Sequence, residues 1–169
     1  MNKSADKEKF IRILKENKRI IIKVIYSYCK DLEDRKDLEQ EIVFQIWRSL
    51  KSYDERCKVS TWIYRIALNV AITHYRKESK RHKINSNPGE SIFQIAEDDS
   101  SEEEKHRQEL LYHLINQFDP LNKAIIILYL EDKSYRDISE LLGISETNVG
   151  TKLNRMKNQL KEHFSQLNN

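Results

Sequence analysis

Residues 134–160 read SYRDISELLGISETNVGTKLNRMKNQL, and the punctuation of that stretch decides the fold. Ser134, with Asp137 three residues on, is close to a capping box, the reciprocal side-chain arrangement that starts a helix. Ile138, Leu141 and Leu142 supply that helix with a core face. Gly143 suits the left-handed position that ends it, Ile144 plugs the corner and Ser145 caps the next helix. In that second helix Val149, Leu153, Met156 and Leu160 recur at helical spacing. Two helices joined by a tight glycine turn, the second polar and basic, describe a helix-turn-helix.

The second helix carries an unusual outer face. Thr147, Asn148, Thr151, Lys152, Asn154 and Arg155 are short hydrogen-bonding groups and cations, not the glutamate–lysine mixture of an ordinary solvated helix. Between Thr147 and Lys161 there are four cations (Lys152, Arg155, Lys157, Lys161) and no acid. Such side chains reach phosphates and base edges in a major groove. Gly150 lies inside the helix, where glycine costs about 1 kcal/mol relative to alanine. One reading is that the missing side chain lets the helix approach DNA closely; the other is a surface helix that tolerates a glycine.

Upstream, Asp119-Pro120 marks another helix start, with Asp119 as N-cap and Pro120 in the first turn. The run NKAIIILYLE then predicts a strongly buried helix. Charge divides the chain further. Residues 1–84 hold 21 Lys+Arg against 12 Asp+Glu, residues 85–105 one lysine against seven acids, and residues 106–169 eight of each sign. The middle stretch, NSNPGESIFQIAEDDSSEEEK, has linker composition. It reads as a solvated acidic tether, or as a mimic of nucleic acid that masks a basic surface. The expected organisation is all-α: a helical module over 1–84, a flexible acidic linker over 85–105, and a helix-turn-helix module over 106–169.

In the first module, FIRILKENKRIIIKVIYSYC predicts a helical stretch with Phe10, Ile13, Leu14, Ile21, Val24, Ile25 and Tyr28 at core spacing. In DRKDLEQEIVFQIWRSLKSYD, Leu38, Ile42, Ile46 and Trp47 make one apolar face, while Asp37, Gln40, Glu41 and Phe44 fall on or beside the opposite one. That polar face is either solvated or, on a basic module, a docking face for a basic partner. After the loop KSYDERCKVS comes TWIYRIALNVAITHYRKESKRHK. Trp62, Ile66, Leu68 and Val70 read as partly core. Thr73, Arg76, Lys77, Lys80 and Arg81 share one helix face. Cations beside Tyr53, Trp62, Tyr64 and Tyr75 suit a single or melted strand, where each stacked base is worth roughly 1–3 kcal/mol.

Composition excludes several classes. Charged residues make up 34% of the 169, and no apolar run approaches the roughly 18 residues of a membrane span. The N-terminal MNKSADKEKF lacks a signal-peptide core, and Cys29 and Cys57 form no framework, so a cytoplasmic protein without membrane insertion is expected. Five histidines show no metal spacing, neither cysteine has a neighbouring histidine, and three glycines build no phosphate loop. Neither catalysis, nor a metal, nor a cofactor is expected.

Taken together, these residues resemble a bacterial RNA polymerase sigma factor of the extracytoplasmic-function class in the sigma-70 family. DLEQEIVFQIW is similar to the region 2 helix that docks on polymerase, VSTWIYRIALNVAITHYRK to the melting and −10-reading segment, and SYRDISELLGISETNVGTKLNRMKNQL to the region 4 helix-turn-helix. The resemblance covers nearly the whole chain. It implies core RNA polymerase (β′ clamp helices and β flap), promoter DNA and an anti-sigma factor, membrane-tethered in many relatives, as partners. It implies Asp37, Leu38, Gln40 and Glu41 as polymerase-docking positions. Residues 53–60 correspond to the loop that captures a flipped −10 base, with Asn69 near the pocket. Tyr53, Trp62, Arg65, Asn69, Arg76, Lys77, Lys80 and Arg81 would meet the −10 strand; Thr147, Asn148, Thr151, Lys152, Asn154 and Arg155 would meet the −35 groove. Gly150 stands where many members carry a cation, and Thr73 where many carry an acid. The alternative is a stand-alone helix-turn-helix regulator, which would bind a two-fold operator as a dimer.

Overall fold

The computed structural model describes residues 3–82 and 101–167. It is all-α: α1 (Lys3–Glu16), α2 (Lys18–Tyr28), α3 (Leu32–Ser49), a 3-10 turn (Leu50–Ser52), α4 (Val59–His82), α5 (Glu102–Ile115), α6 (Pro120–Leu130), α7 (Tyr135–Leu142) and α8 (Glu146–Leu167), with no strand among the described residues. The chain divides into two compact units, Met1–Gly89 and Glu90–Asn169. The acidic run up to Ser100 lies outside the described residues. Glu102, Glu103 and Glu104 form the first turn of α5, so the end of the stretch 85–105 is helical. Carboxylates there complement the positive end of the helix dipole.

In the first unit α4 packs against both α2 and α3, and α1 leans on α2. The stretch from Phe10 to Cys29, expected as one helical run, breaks at Asn17. The Asn17 side chain donates to the Ile13 carbonyl at 2.9 Å, competing with the backbone for that acceptor, and the residue leaves helical geometry at φ −111°, ψ 14°. The core is built from Ile21, Val24, Ile25 and Tyr28 of α2, Leu38, Ile42 and Ile46 of α3, and Ile63, Tyr64, Ala67, Leu68, Ala71 and Ile72 of α4. Of the four α4 residues read as partly core, Leu68 is buried and Trp62, Ile66 and Val70 are half-buried. Small residues at 67 and 71 let α4 approach both neighbours.

The α2–α3 corner is tied by charge and ring. Asp31 caps α3, accepting from the Asp34 amide at 2.9 Å, and that bond lowers the pKa of Asp31. Arg35 Nε donates to the Cys29 carbonyl at 3.2 Å, and its guanidinium lies 4.0 Å over the Tyr26 ring.

In the second unit α6 supplies the buried run Lys123–Leu128, and α8 packs on both α6 and α7. Asp119 accepts from the Leu121 and Asn122 amides, each at 3.1 Å, with Pro120 in the first turn. Ser134 and Asp137 form the full capping box. Gly143 ends α7 in the left-handed conformation (φ 68°), its amide and that of Ile144 both donating to the Ser139 carbonyl. Ser145 caps α8 through the Asn148 amide at 3.1 Å. These caps fix the angle between α7 and α8, which positions the outer face of α8.

Candidate functional site

Three surfaces carry the residues singled out by the sequence: the outer face of α3, the loop 53–58 with one side of α4, and the outer face of α8.

On α3, Asp37, Gln40 and Glu41 are exposed together, and Gln45 donates to Glu41 at 2.9 Å. Leu38 is corrected: at 0% exposure it belongs to the core beneath the helix, because it shares a face with Ile42 and Ile46. Trp47 is corrected in the other direction. Expected on the core face, it is 42% exposed and packs edge-on against Phe10 of α1, with ring centroids 4.9 Å apart. Phe44, 55% exposed, lies on the same outer face as Gln40 and Glu41. The face is therefore an apolar centre bordered by acids and a glutamine.

In the loop before α4, the Tyr53 and Trp62 rings lie 4.7 Å apart and tilted by 30°. The Tyr53 hydroxyl donates to the Cys57 carbonyl at 2.6 Å, closing the loop on itself. Desolvation, with Cys57, Glu55 and Asp54 adding to it, raises the pKa of Tyr53 and keeps it a donor. Glu55 adopts a left-handed conformation (φ 60°), and Asp54 pairs with Arg56 at 2.8 Å. Beyond the loop, Asn69, Arg76, Lys77 and Lys80 are exposed along α4. Thr73, on the same row, turns its hydroxyl to the Asn69 carbonyl at 2.8 Å. Arg65 is set back: it is half-buried, and its Nε is buried without a hydrogen-bond partner among the described residues. An unsatisfied buried donor of this kind costs about 1–3 kcal/mol. The side chain of Arg81 lies outside the described residues.

On α8, Thr147, Asn148, Thr151, Asn154 and Arg155 are exposed opposite the buried Val149, Leu153 and Met156, while Lys152 is half-buried at the border. Two features depend on packing between helices. Gly150 is turned toward α7, where a Cβ would lie 3.5 Å from Cε2 and 3.7 Å from Cδ2 of Tyr135. Lys157 is drawn off the cationic face, its ammonium 3.9 Å above the Tyr129 ring. Hydrogen bonding to Tyr129 is the chief cause that raises the lysine pKa. A tyrosine doublet in α6 and α7 was visible in the sequence; that it would hold a lysine of α8 depends on the helix packing.

Among the described residues no group of three His, Cys, Asp or Glu side chains is placed to hold a metal ion, and no helix is long and apolar enough to cross a membrane.

Known proteins match both units. Residues 13–81 match the Sigma-70 region 2 family, and residues 108–160 match Sigma-70, region 4. The chain is 27% identical over 145 residues to the ECF RNA polymerase sigma factor SigM of Bacillus subtilis, covering 86% of this chain and 88% of SigM. It is 26% identical over 175 residues to SigW of the same organism, covering 98% and 94%. Two solved structures share the fold. The sigma factor RpoE, in complex with the anti-sigma factor NepR from Bartonella quintana, has a TM-score of 0.66 at 17% identity, covering 94% of this chain and 96% of RpoE. CnrH, in complex with the cytosolic domain of CnrY, has a TM-score of 0.64 at 16% identity, covering 94% and 89%. With both sigma regions present in order, the chain belongs to the sigma-70 family as an RNA polymerase sigma factor of the extracytoplasmic-function class.

Proposed function

We propose that the chain directs core RNA polymerase to a promoter set through three separate surfaces. The outer face of α3, with Asp37, Gln40 and Glu41, docks on the β′ clamp helices. The loop 53–58, with Trp62, Asn69 and the cations Arg65, Arg76, Lys77, Lys80 and Arg81, captures the −10 strand and helps open it. The outer face of α8 reads the −35 element from the major groove.

The observation that carries this reading is the Tyr53–Trp62 pair at the head of a helix with Asn69, Arg76, Lys77 and Lys80 exposed along it. Aromatics beside a run of cations serve single-strand binding, which a duplex-binding regulator does not need. Flipping a base costs a few kcal/mol, which stacking and phosphate contacts offset. An anti-sigma factor belongs to the proposal because Bartonella quintana RpoE, of the same fold, is held by one.

The test is run-off transcription by purified core polymerase on genomic upstream fragments, with and without the protein. New transcripts that vanish on Gln40→Ala plus Glu41→Ala are expected. No transcripts, together with tight duplex binding by the protein alone, would replace this reading with the stand-alone regulator.

A further inference from the structure

Gly150 leaves a gap in the reading surface of α8, and the gap is floored by a side chain from another helix. The position is half-buried rather than exposed, because the ring of Tyr135 lies 3.5–3.7 Å from where a Cβ would stand. Tyr135 is itself 40% exposed. At this edge of the surface, the group presented outward is therefore an aromatic ring from the start of α7. The ring is braced from behind: Tyr129 lies 6.4 Å away, centroid to centroid, and Lys157 sits over Tyr129. The capping box of Ser134 and Asp137 fixes the backbone from which it springs.

An apolar ring edge at a major-groove surface has one well-defined complement, the C5-methyl group of thymine. A long cation at position 150 would instead have covered the ring and reached for phosphate. We propose that Tyr135 is a specificity-determining residue, its ring meeting a thymine methyl at one step of the −35 element through the gap that Gly150 leaves. The inference rests on α8 being the −35-reading helix.

The test uses holoenzyme assembled from core polymerase and the full chain, on a promoter found by run-off transcription. Each thymine of the −35 region is replaced singly by uracil, which removes only the methyl group. At one position uracil weakens wild-type binding about four-fold, the worth of one buried methyl. Tyr135→Ala abolishes that sensitivity and Tyr135→Phe retains it. Gly150→Lys, which leaves Tyr135 and its packing in place, also abolishes it by covering the ring, and steepens the logarithmic salt dependence by about one. The proposal is overturned if uracil penalties are the same in wild type and Gly150→Lys at every position. It is equally overturned if Tyr135→Phe loses as much as Tyr135→Ala, since the hydroxyl would then be the contact. Arg155→Ala separates the two failures: weakened promoter binding in that variant keeps α8 as the reading helix, and unchanged binding removes that reading along with the proposal.

Discussion

The ring of Tyr135 lies 3.5 Å from the point where a side chain at Gly150 would begin, an ordinary van der Waals separation. Glycine is therefore not required by packing at this position, and it carries the full backbone entropy cost inside a 22-residue helix. Gly150→Ala is expected to stabilise the second unit by about 0.5–1 kcal/mol, read as a raised midpoint in urea unfolding. A lowered midpoint would mean that the ring needs the empty space.

Lys157 and Arg155 sit two residues apart on α8 but face different partners. Arg155 is exposed, whereas Lys157 is held over Tyr129. Arg155→Ala should weaken promoter binding by the holoenzyme and reduce the logarithmic salt slope by about one, with little change in stability. Lys157→Met should do the reverse, leaving the slope unchanged and costing about 0.5–1 kcal/mol of folding stability. Equal loss of slope in the two variants would return Lys157 to the DNA face.

The capping box of α7 gives a stability effect with a defined pH sense. Ser134→Ala removes the hydroxyl that accepts from the Asp137 amide and should cost about 1 kcal/mol near neutral pH. The hydrogen bonds from Ser134 lower the pKa of Asp137. A carboxylate lowered by folding contributes stability above its ordinary pKa and loses it as pH falls through the folded value. The gap in urea midpoint between wild type and Ser134→Ala should therefore narrow as pH is lowered below the usual aspartate range. A gap that widens instead would mean the hydroxyl acts through something other than the ionised carboxylate.

The features legible in the sequence are those set by neighbours along the chain. Asp119-Pro120, Ser134 with Asp137, Gly143 and Ser145 each act within four residues, so their residue types announce helix ends directly. Asn17 was a weaker signal, because one amide side chain bonding the Ile13 carbonyl decides between a continuous helix and two. Fates that depend on contacts between helices were not legible. What the missing side chain at Gly150 uncovers is not known until Tyr135 is seen beside it, and Lys157 reads as one more cation until Tyr129 is placed beneath it. Trp47 satisfies a helical apolar spacing yet packs against α1 outside the core. On α4 the buried stripe is marked by Ala67 and Ala71, whose small size is read as burial only once two helices are known to press there.

Leu38 and Phe44 lie on the same helix within two turns, one buried and the other exposed, which separates fold from docking. Leu38 is fully buried among the α3 core residues, so Leu38→Ala should cost about 2–5 kcal/mol of stability and weaken polymerase binding only through unfolding. Phe44 is more than half exposed at the centre of the acidic and glutamine-bordered face. Phe44→Ala should change stability by no more than about 0.5 kcal/mol. If the face docks on polymerase, a central aromatic is where binding energy concentrates, and the loss should be about 2 kcal/mol, near thirty-fold in affinity. Urea unfolding of each variant, paired with titration of core polymerase against a fluorescently labelled chain, separates the two effects. Unchanged affinity in Phe44→Ala would move the docking contact away from this face, toward Trp47 and α1 or to the second unit.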